Sequence, residues 1–378
     1  MSESADARLR GRRSTDPAVD PSEQYVSIEP LLQFVVNLKA SDLHISAGIA
    51  PTVRVDGELS PIAGAPVLSA EMAARLVASI MSKDDRQAFE RELELDFAFG
   101  RRGLGRYRVS AFRERGDVSA VLRRIPDKPL TLDELGLPKV LGTFADLKQG
   151  LVIVTGPSGS GKTTTLTAII DKINRERNVH VITVEDPIEF VHVHDRAIVQ
   201  QRELGKDTTS FALALRSALR EDPDVLLIGE MRDPATISAT VSAAETGHLV
   251  FATLHTNSAA QSIDRIIDVF PPHQQAQIRL QLASSLQAVV SQRLVPMAEG
   301  GRVCVAEVLI ANGAVRNLIR EGKTHQLDSA MMSAVKDGMV IFDTRLAELV
   351  RQGRVTRDVG LMYCTDARSF ESRLTGRA

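Results

Sequence analysis

The sequence has 378 residues, of which 43% are hydrophobic and 25% are charged, and its formal net charge is −2 at pH 7. This length predicts two or three domains, and the hydrophobic content excludes a disordered chain. The near-neutral charge and the 4% of aromatic residues argue against a cationic coat for nucleic acid or lipid and against a base-stacking surface. We therefore expect no nucleic acid among the partners.

The cysteine content and the apolar segments indicate the compartment. Cys304 and Cys364 are the two cysteines, which excludes a four-cysteine zinc site and a disulfide framework and favours the reducing cytosol. The uncharged window 246–263 contains polar residues such as His248, so it does not predict a membrane helix. No apolar segment follows the N-terminal arginines, so no secretory signal is expected. The prediction is a cytoplasmic protein that meets a membrane only through partners or surface contacts.

The first third of the chain predicts a small α+β domain over residues 25–125. Residues 1–24 are polar, lack apolar periodicity and predict a disordered extension. Helical patterns cover residues 29–39 and 69–91, the second with Ser69 as its N-cap. Strand-forming residues cluster between turn residues, and the last three clusters predict an antiparallel sheet. These clusters are 42–46, 52–55, 93–99, 106–112 and 118–124.

The pattern changes after residue 125. Residues 126–145 are rich in Pro and Gly and predict a linker. Short, fully apolar runs then alternate with helical stretches, which predicts a mainly parallel sheet covered on both faces. These runs are 151–154, 179–184, 225–228 and 249–253. The chain after Phe270 looks mostly helical. We expect an α/β domain over residues 146–295 and a helical C-terminal region with a polar tail over residues 296–378.

A phosphate-binding loop is predicted between the apolar run 151–155 and the helical run 164–174. The loop matches G-x-x-x-x-G-K-[ST] at every fixed position, in the context of strand and helix that the motif requires. Lys162 should reach the β- and γ-phosphates of ATP, and the Thr163 hydroxyl should ligate Mg²⁺. The predicted nucleotide site comprises Gly156, Pro157, Ser158, Gly159, Ser160, Gly161, Lys162, Thr163 and Thr164.

Three predicted strands of this domain end in polar residues, where α/β sheets place their sites. The strand ends carry Glu185-Asp186-Pro187-Ile188-Glu189, Gly229-Glu230 and Thr253-Leu254-His255. One carboxylate there can polarise the attacking water and another can bind Mg²⁺ directly or through water. Because Gly229 stands where P-loop enzymes commonly carry a magnesium-binding Asp, we expect Thr163 and water to hold the ion, with Glu185 or Asp186 nearby. His255 is interpreted as a sensor of the γ-phosphate, and a zinc site is rejected.

The segment 101–124, here named the arginine belt, contains eight arginines and two acidic residues, a local charge of +6. A solvated face, a nucleic-acid patch and arginines that reach the ATP of a neighbouring subunit are the three interpretations. Arginine forms forked contacts with phosphate, and an arginine supplied in trans can raise a rate by about 10³–10⁵.

Several motifs, in the same order along the chain, resemble the PilT-type twitching-motility members of the bacterial type II/IV secretion ATPases. Residues 40–46 (ASDLHIS) and 105–112 (GRYRVSAF) are similar to the family's N-terminal domain. Residues 183–189, 222–233 and 245–257 resemble its Asp box, Walker B motif and His box. Residues 314–321 (AVRNLIRE) match the helix signature of retraction motors. The resemblance covers about residues 26–355.

The resemblance implies a PAS-like N-terminal domain, a RecA-like P-loop ATPase domain and a helical C-terminal region, assembled as a homohexamer. It implies that Glu230 is the catalytic glutamate, that Lys162 clamps the phosphates, and that Glu185 and His255 complete the active site. Arg108, Arg113 and Arg123 become candidate trans arginines. The family works at the cytoplasmic face of the inner membrane, against the pilus platform protein, where it depolymerises pilin.

Alternative functions remain at this point. A pilus-extension or type II secretion ATPase typically carries a large extra N-terminal domain and a tetracysteine zinc motif, and this sequence shows neither. A RecA-like nucleic-acid translocase should have basic, aromatic loops near its pore. An inactive coupling subunit is disfavoured by intact Lys162, Thr163, Glu185 and Glu230. A retraction ATPase is therefore the expected function.

Overall fold

The computed structural model describes residues 27–55, 57–125 and 128–376, so the extension predicted over residues 1–24 lies outside the described residues. The chain divides into two compact units, Met1–Asp127 and Lys128–Ala378. Within the described ranges, none of the helices combines the length and apolarity that a membrane crossing needs.

The N-terminal unit contains a six-stranded sheet in the order β3-β2-β1-β6-β5-β4, and every pair in it is antiparallel. Helices pack against it through apolar side chains that include Leu31, Leu76 and Phe89. Its strands are β1 (Asp42–Ile45), β2 (Thr52–Val55), β3 (Glu58–Pro61), β4 (Glu94–Arg101), β5 (Gly105–Glu114) and β6 (Asp117–Ile125), and its helices are α1 (Ile28–Asn37), α2 (Ala70–Ser79) and α3 (Lys83–Glu92). The predicted antiparallel sheet is confirmed.

The single helix predicted over residues 69–91 is two helices. Ser69 caps α2 as predicted, since its side chain accepts a hydrogen bond from the Met72 N–H. The helix ends at Ser79, and Ser82 starts α3 with a reciprocal capping box in which Ser82 and Asp85 satisfy each other's backbone N–H groups. These caps divide the segment into two helices, although its helical pattern is continuous. Strand β3 was not predicted.

The second unit is built on a seven-stranded sheet in the order β13-β12-β7-β11-β10-β8-β9. All neighbours run parallel except β13, which is antiparallel to β12. The strands are β7 (Gly150–Thr155), β8 (His180–Glu185), β9 (Ile198–Glu203), β10 (Val225–Ile228), β11 (Leu249–Leu254), β12 (Leu286–Pro296) and β13 (Arg302–Ile310). Strands β7, β10 and β11 are buried at every residue, as expected for central strands of a covered parallel sheet.

Helices cover both faces of this sheet. Val152 of β7 packs on one face with Ile169, whereas Ile153 packs on the other face with Ile237 and Ile263. The helices are α4 (Val140–Thr143), α5 (Lys162–Glu176), α6 (Phe211–Ala218), α7 (Pro234–Glu245), α8 (Ala259–Asp268), α9 (Pro272–Ser285), α10 (Gly313–Glu321), α11 (Leu327–Ser333), α12 (Phe342–Arg351), α13 (Arg357–Tyr363) and α14 (Ala367–Leu374). The doubly covered parallel sheet is therefore confirmed.

The prediction of a mostly helical chain after Phe270 is wrong over β12 and β13. Both strands lie in the same sheet as the phosphate loop, and the boundary expected between residues 295 and 296 falls within β12. Strand β12 shows neither the alternation of a half-buried strand nor the continuous apolar run of β7, because Gln287, Ser291, Gln292 and Arg293 interrupt it. The residues predicted as a linker also contribute to this unit, because Leu141 and Phe144 are buried in its core.

Candidate active site

The phosphate-binding loop connects β7 to α5, as its motif predicts. Gly156 and Gly161 adopt φ angles of 146° and 88°, a region that side chains with a Cβ rarely enter. At Gly156 a Cβ would lie 2.2 Å from the backbone oxygen of Gln292, so the close approach of β12 also requires glycine there. The backbone of the loop is thus shaped by positions that only glycine fits.

Lys162, the first residue of α5, lies across this loop. Its Nζ donates hydrogen bonds to the carbonyl oxygens of Gly156 at 2.8 Å and Pro157 at 3.1 Å. Burial lowers the pKa of the Lys162 ammonium, and the negative charges of Glu230 and Glu189 oppose that shift. Because these two hydrogen-bond acceptors are neutral carbonyls, the ammonium group can exchange them for phosphate oxygens at little cost.

The start of α5 has the properties of an anion site. Its N-cap residue, Gly161, provides no side-chain hydrogen bond, so backbone N–H groups of the first turn are left for a ligand. The Ser160 hydroxyl oxygen is buried and has no hydrogen-bond partner within the described part of the chain. Thr164 is exposed in the first turn of the helix. These features fit a bound phosphate group.

Glu230 lies two residues beyond β10, at the carboxyl edge of the sheet. One carboxylate oxygen is 2.7 Å from the Arg232 guanidinium and the other is 3.1 Å from Nε2 of His255. Burial alone would raise the pKa of Glu230, but the hydrogen bond from Arg232 and the contact with His255 hold that pKa below its ordinary value. The carboxylate is therefore ionised at neutral pH and fixed in direction from both sides.

The packing around Gly229 explains why this position does not carry the usual magnesium-binding Asp. A Cβ at this position would lie 3.1 Å from the Val184 carbonyl oxygen and 3.2 Å from the Glu185 Cα. The Gly229 N–H donates to that same carbonyl at 2.7 Å, and its own carbonyl accepts a hydrogen bond from the Thr253 hydroxyl. Close packing of the strand ends therefore leaves little room for any side chain here.

Glu185, at the end of β8, is held by two donors. Its Oε1 accepts hydrogen bonds from the Thr183 hydroxyl at 2.6 Å and from the Gln201 amide at 3.0 Å. The side chain lines a cavity together with Thr163, Asp186, Glu189, His192 and Glu230. The Thr163 hydroxyl and these carboxylates are hard oxygen donors of the kind that Mg²⁺ prefers. Residues from three strand ends, Glu185, Glu230 and Thr253, thus meet Thr163 at one cavity, whereas His255 and residues 156–162 do not line it.

His192 is buried in the wall of the same cavity, with its ring edge-on to Phe190 at 5.0 Å between centroids. Burial lowers the pKa of its imidazole from 6.5 to about 4, so the ring is neutral at physiological pH. It therefore adds shape to the cavity without adding charge.

The candidate arginines belong to the N-terminal unit and are held in different ways. Arg108 and Arg123 are direct cross-strand neighbours on β5 and β6. Arg123 donates to the buried Asp42 at 2.8 Å, whereas Arg108 meets the exposed Asp96 at 3.4 Å. Arg113 donates to the Gly116 carbonyl at 2.9 Å and lies over the Phe89 ring. The strand pairing brings Arg108 and Arg123 together, and Arg113 lies towards the other end of β5.

Comparison with known proteins decides the family. The family described as type II/IV secretion system protein matches residues 19–359. The chain belongs to this family. It is 48% identical to the Pseudomonas aeruginosa type IV pilus retraction ATPase PilT over 333 residues, which cover 88% of this chain and 96% of that protein. It is 49% identical to a twitching motility protein of Neisseria gonorrhoeae over 321 residues, which cover 85% and 86% of the two chains.

A solved structure extends this comparison to the fold. The crystal structure of the pilus retraction motor PilT with bound ADP aligns with a TM-score of 0.85 and 46% identity, covering 91% of this chain and 99% of that chain. The predicted RecA-like ATPase fold and the resemblance to PilT-type members of the type II/IV secretion family are confirmed. The chain is an ATPase of this family.

Several polar residues of the site were not predicted from the sequence, among them His192, Gln201, Arg232 and Gln292. Arg232 contacts Glu230, and a signal for it existed, because it follows Glu230 by two residues within the Walker B segment. Gln292 contacts the phosphate loop from β12, a segment whose pattern predicted a helix. Only the strand order shows that Gln292 is close to the loop.

Proposed function

We propose that this chain is the ATP-driven motor of type IV pilus retraction, and that Glu230 is its catalytic carboxylate. The observation that carries the proposal is the position of Glu230, which faces the cavity beside the phosphate loop and is oriented by Arg232 and His255. An ionised carboxylate fixed at this edge can orient and polarise a water molecule for attack on the γ-phosphate.

The other site residues take distinct roles in this proposal. Lys162 leaves the carbonyls of Gly156 and Pro157 and clamps the β- and γ-phosphates. His255 contacts Glu230 directly and couples that carboxylate to the presence of the γ-phosphate. Glu185 is held by Thr183 and Gln201 on the magnesium side of the cavity. Magnesium, held by Thr163 and water, would neutralise charge that develops on the phosphates.

The proposal includes a homohexamer in which arginines of one N-terminal unit reach the ATP of a neighbour. Arg123 is the strongest of the three candidates, because its side chain is 73% exposed although the buried Asp42 fixes its position. A fixed but accessible guanidinium is suited to forked contacts with phosphate. Sequential closure around the ring would supply mechanical strokes.

We further propose that the motor acts at the cytoplasmic face of the inner membrane. Its partner there would be the membrane platform protein of the pilus, and pilin would be reached through that protein. Identity of 48% over nearly the full length of a pilus retraction ATPase supports this placement. The retraction signature at residues 314–321 supports it as well, since α10 exposes Asn317, Arg320 and Glu321 on one surface.

The test is a deletion strain complemented with the wild-type gene or with Glu230→Gln. Cells without the motor, and cells with the Glu230→Gln variant, should carry abundant pili and show no twitching, because pili are assembled but not withdrawn. Restoration of twitching by the wild-type gene is the control. Bald cells would contradict retraction and indicate an assembly motor, whereas normal pili with normal twitching would contradict any pilus function.

A further inference from the structure

The side-chain amide of Gln292 joins β12 to the phosphate-binding loop. Gln292 is fully buried. Its Oε1 accepts a hydrogen bond from the Thr165 hydroxyl at 3.0 Å, and its Nε2 donates to the Ser160 carbonyl oxygen at 2.9 Å. One amide therefore holds both the last part of the loop and the first turn of α5, with its nitrogen donating to one and its oxygen accepting from the other.

The register of the sheet explains why Gln292 reaches the loop. Strand β12 runs parallel to β7, and the last pair between them is Ser291 with Thr155. The residues that follow this pair are Gln292 after Ser291 and Gly156 after Thr155. They approach so closely that a Cβ at Gly156 is excluded. The backbone of Gln292 thus supports the first residue of the loop while its side chain supports the end.

The contact with Ser160 also orients the loop. The Ser160 carbonyl and the Gly161 N–H belong to one planar, trans peptide unit and therefore point in opposite directions. Because the amide of Gln292 holds the carbonyl, the Gly161 N–H is directed to the opposite side, away from Gln292. Backbone N–H groups at the start of a helix are the ones that bind phosphate oxygens.

We propose that Gln292 is a positioning residue for the bound nucleotide, because it fixes the peptide between Ser160 and Gly161 with its N–H aimed at the phosphates. The inference rests on nucleotide binding at this loop and goes beyond it by assigning a role to a residue of β12. Loss of the amide should weaken nucleotide binding more than it weakens the fold.

The sharpest test is Gln292→Glu, with the dissociation constant for ADP measured by titration calorimetry between about pH 5 and pH 8. A protonated carboxyl can still donate to Ser160 and accept from Thr165, whereas an ionised one cannot donate and repels the carbonyl. Burial raises the pKa of such a carboxyl into this range. The affinity of the variant relative to wild type at the same pH should fall about tenfold as the pH rises. A ratio that does not change with pH would overturn the proposal.

A second pair of variants separates positioning from folding. Gln292→Leu should weaken ADP binding about tenfold at temperatures where circular dichroism shows an intact fold. Gln287→Leu is the matched control, because Gln287 lies on the same strand but contacts Gln149 and Arg316 instead of the loop. Equal ADP affinity in the two variants would contradict the role of Gln292. Failure of the wild-type chain to bind ADP would contradict the nucleotide site itself, and with it this inference.

Discussion

The two units of the chain hold their charged residues in different ways. In the second unit, Glu230 is largely shielded, with 18% of its side chain exposed, and it has partners from two strand ends of the same sheet. In the N-terminal unit the ion pair of Asp42 and Arg123 is arranged differently. Asp42 is buried, with 5% of its side chain exposed, and it binds Arg123, whose side chain is 73% exposed.

This difference separates a site that one chain assembles from its own residues from a side chain that it presents to a ligand or a partner. A carboxylate with two partners in its own unit is oriented before a neighbour contributes any group. An arginine anchored at one end and exposed at the other is oriented towards an anion that its own unit does not supply. Substitution of either residue should therefore lower ATP turnover, at Glu230 because the carboxylate of its own unit is lost and at Arg123 because a charge offered to a neighbour is lost.

The largest effect is expected from Arg123→Ala. If Arg123 reaches the ATP of a neighbouring subunit, its loss should lower ATP turnover by about 10³-fold and leave ADP binding unchanged. Turnover and ADP affinity should be measured on the same preparation. Arg102→Ala is the control, because Arg102 is an exposed arginine of the same belt. Equal turnover in the two variants would contradict the role of Arg123.

The second unit should lose stability in acid, because it buries His192. Burial holds the pKa of this imidazole at about 4 in the folded chain, against 6.5 when it is exposed. Above 6.5 both states are neutral and the full stability is present. As the pH falls towards 4, only the unfolded chain takes up the proton, which removes up to about 3 kcal/mol of stability.

His192→Asn removes this titration. Urea unfolding of the full chain at several pH values, with hydrogen exchange of the β8 amides as the local measure, should show a flatter pH dependence in the variant than in wild type. Identical slopes in the two proteins would show that His192 is not the group that confers acid sensitivity.

A smaller effect is expected at α10, where one residue is held by its own unit and the next residue in the sequence is exposed. Arg316 donates to the carbonyls of Ala283 at 2.8 Å and Ser284 at 2.6 Å, at the end of α9. Asn317 contacts Glu321 on the exposed surface. Arg316→Ala should destabilise the unit by about 2 kcal/mol, because charged hydrogen bonds to a helix C-terminus are lost.

Asn317→Ala should leave the free energy of unfolding unchanged and reduce twitching, if this surface couples hydrolysis to movement. Urea unfolding and a motility assay on both variants separate the two effects. Equal destabilisation by both substitutions would show that α10 has no distinct exposed function.

The sequence predicted those parts of the fold whose determinants are local or strictly patterned. Central parallel strands such as β7 and β10 are continuous apolar runs, and the phosphate loop has an invariant spacing, so each could be found without knowledge of its neighbours. Strand β12 could not be found in this way, because polar residues (Gln287, Ser291, Gln292 and Arg293) interrupt its apolar run although most of the strand is buried.

The contacts that tune the site depend on strand order. Gln292 meets Ser160 across 132 residues because β12 lies beside β7, and no local pattern encodes that neighbourhood. The contact of His255 with Glu230 likewise follows from the adjacency of β11 and β10. The residue types at the strand ends could be predicted from the sequence, whereas their contact partners could be identified only from the strand order of the sheet.

The most direct test of the central claim is ATP turnover by purified Glu230→Gln protein, measured beside its ADP affinity. The variant should fold, because Arg232 is exposed and tolerates the loss of its partner. Glu245→Gln, in which a carboxylate at the end of α7 is lost instead, is the matched control. We predict unchanged ADP binding and a loss of turnover of about 10²-fold or more in Glu230→Gln alone. Turnover close to that of wild type would contradict the assignment of Glu230 as the catalytic carboxylate.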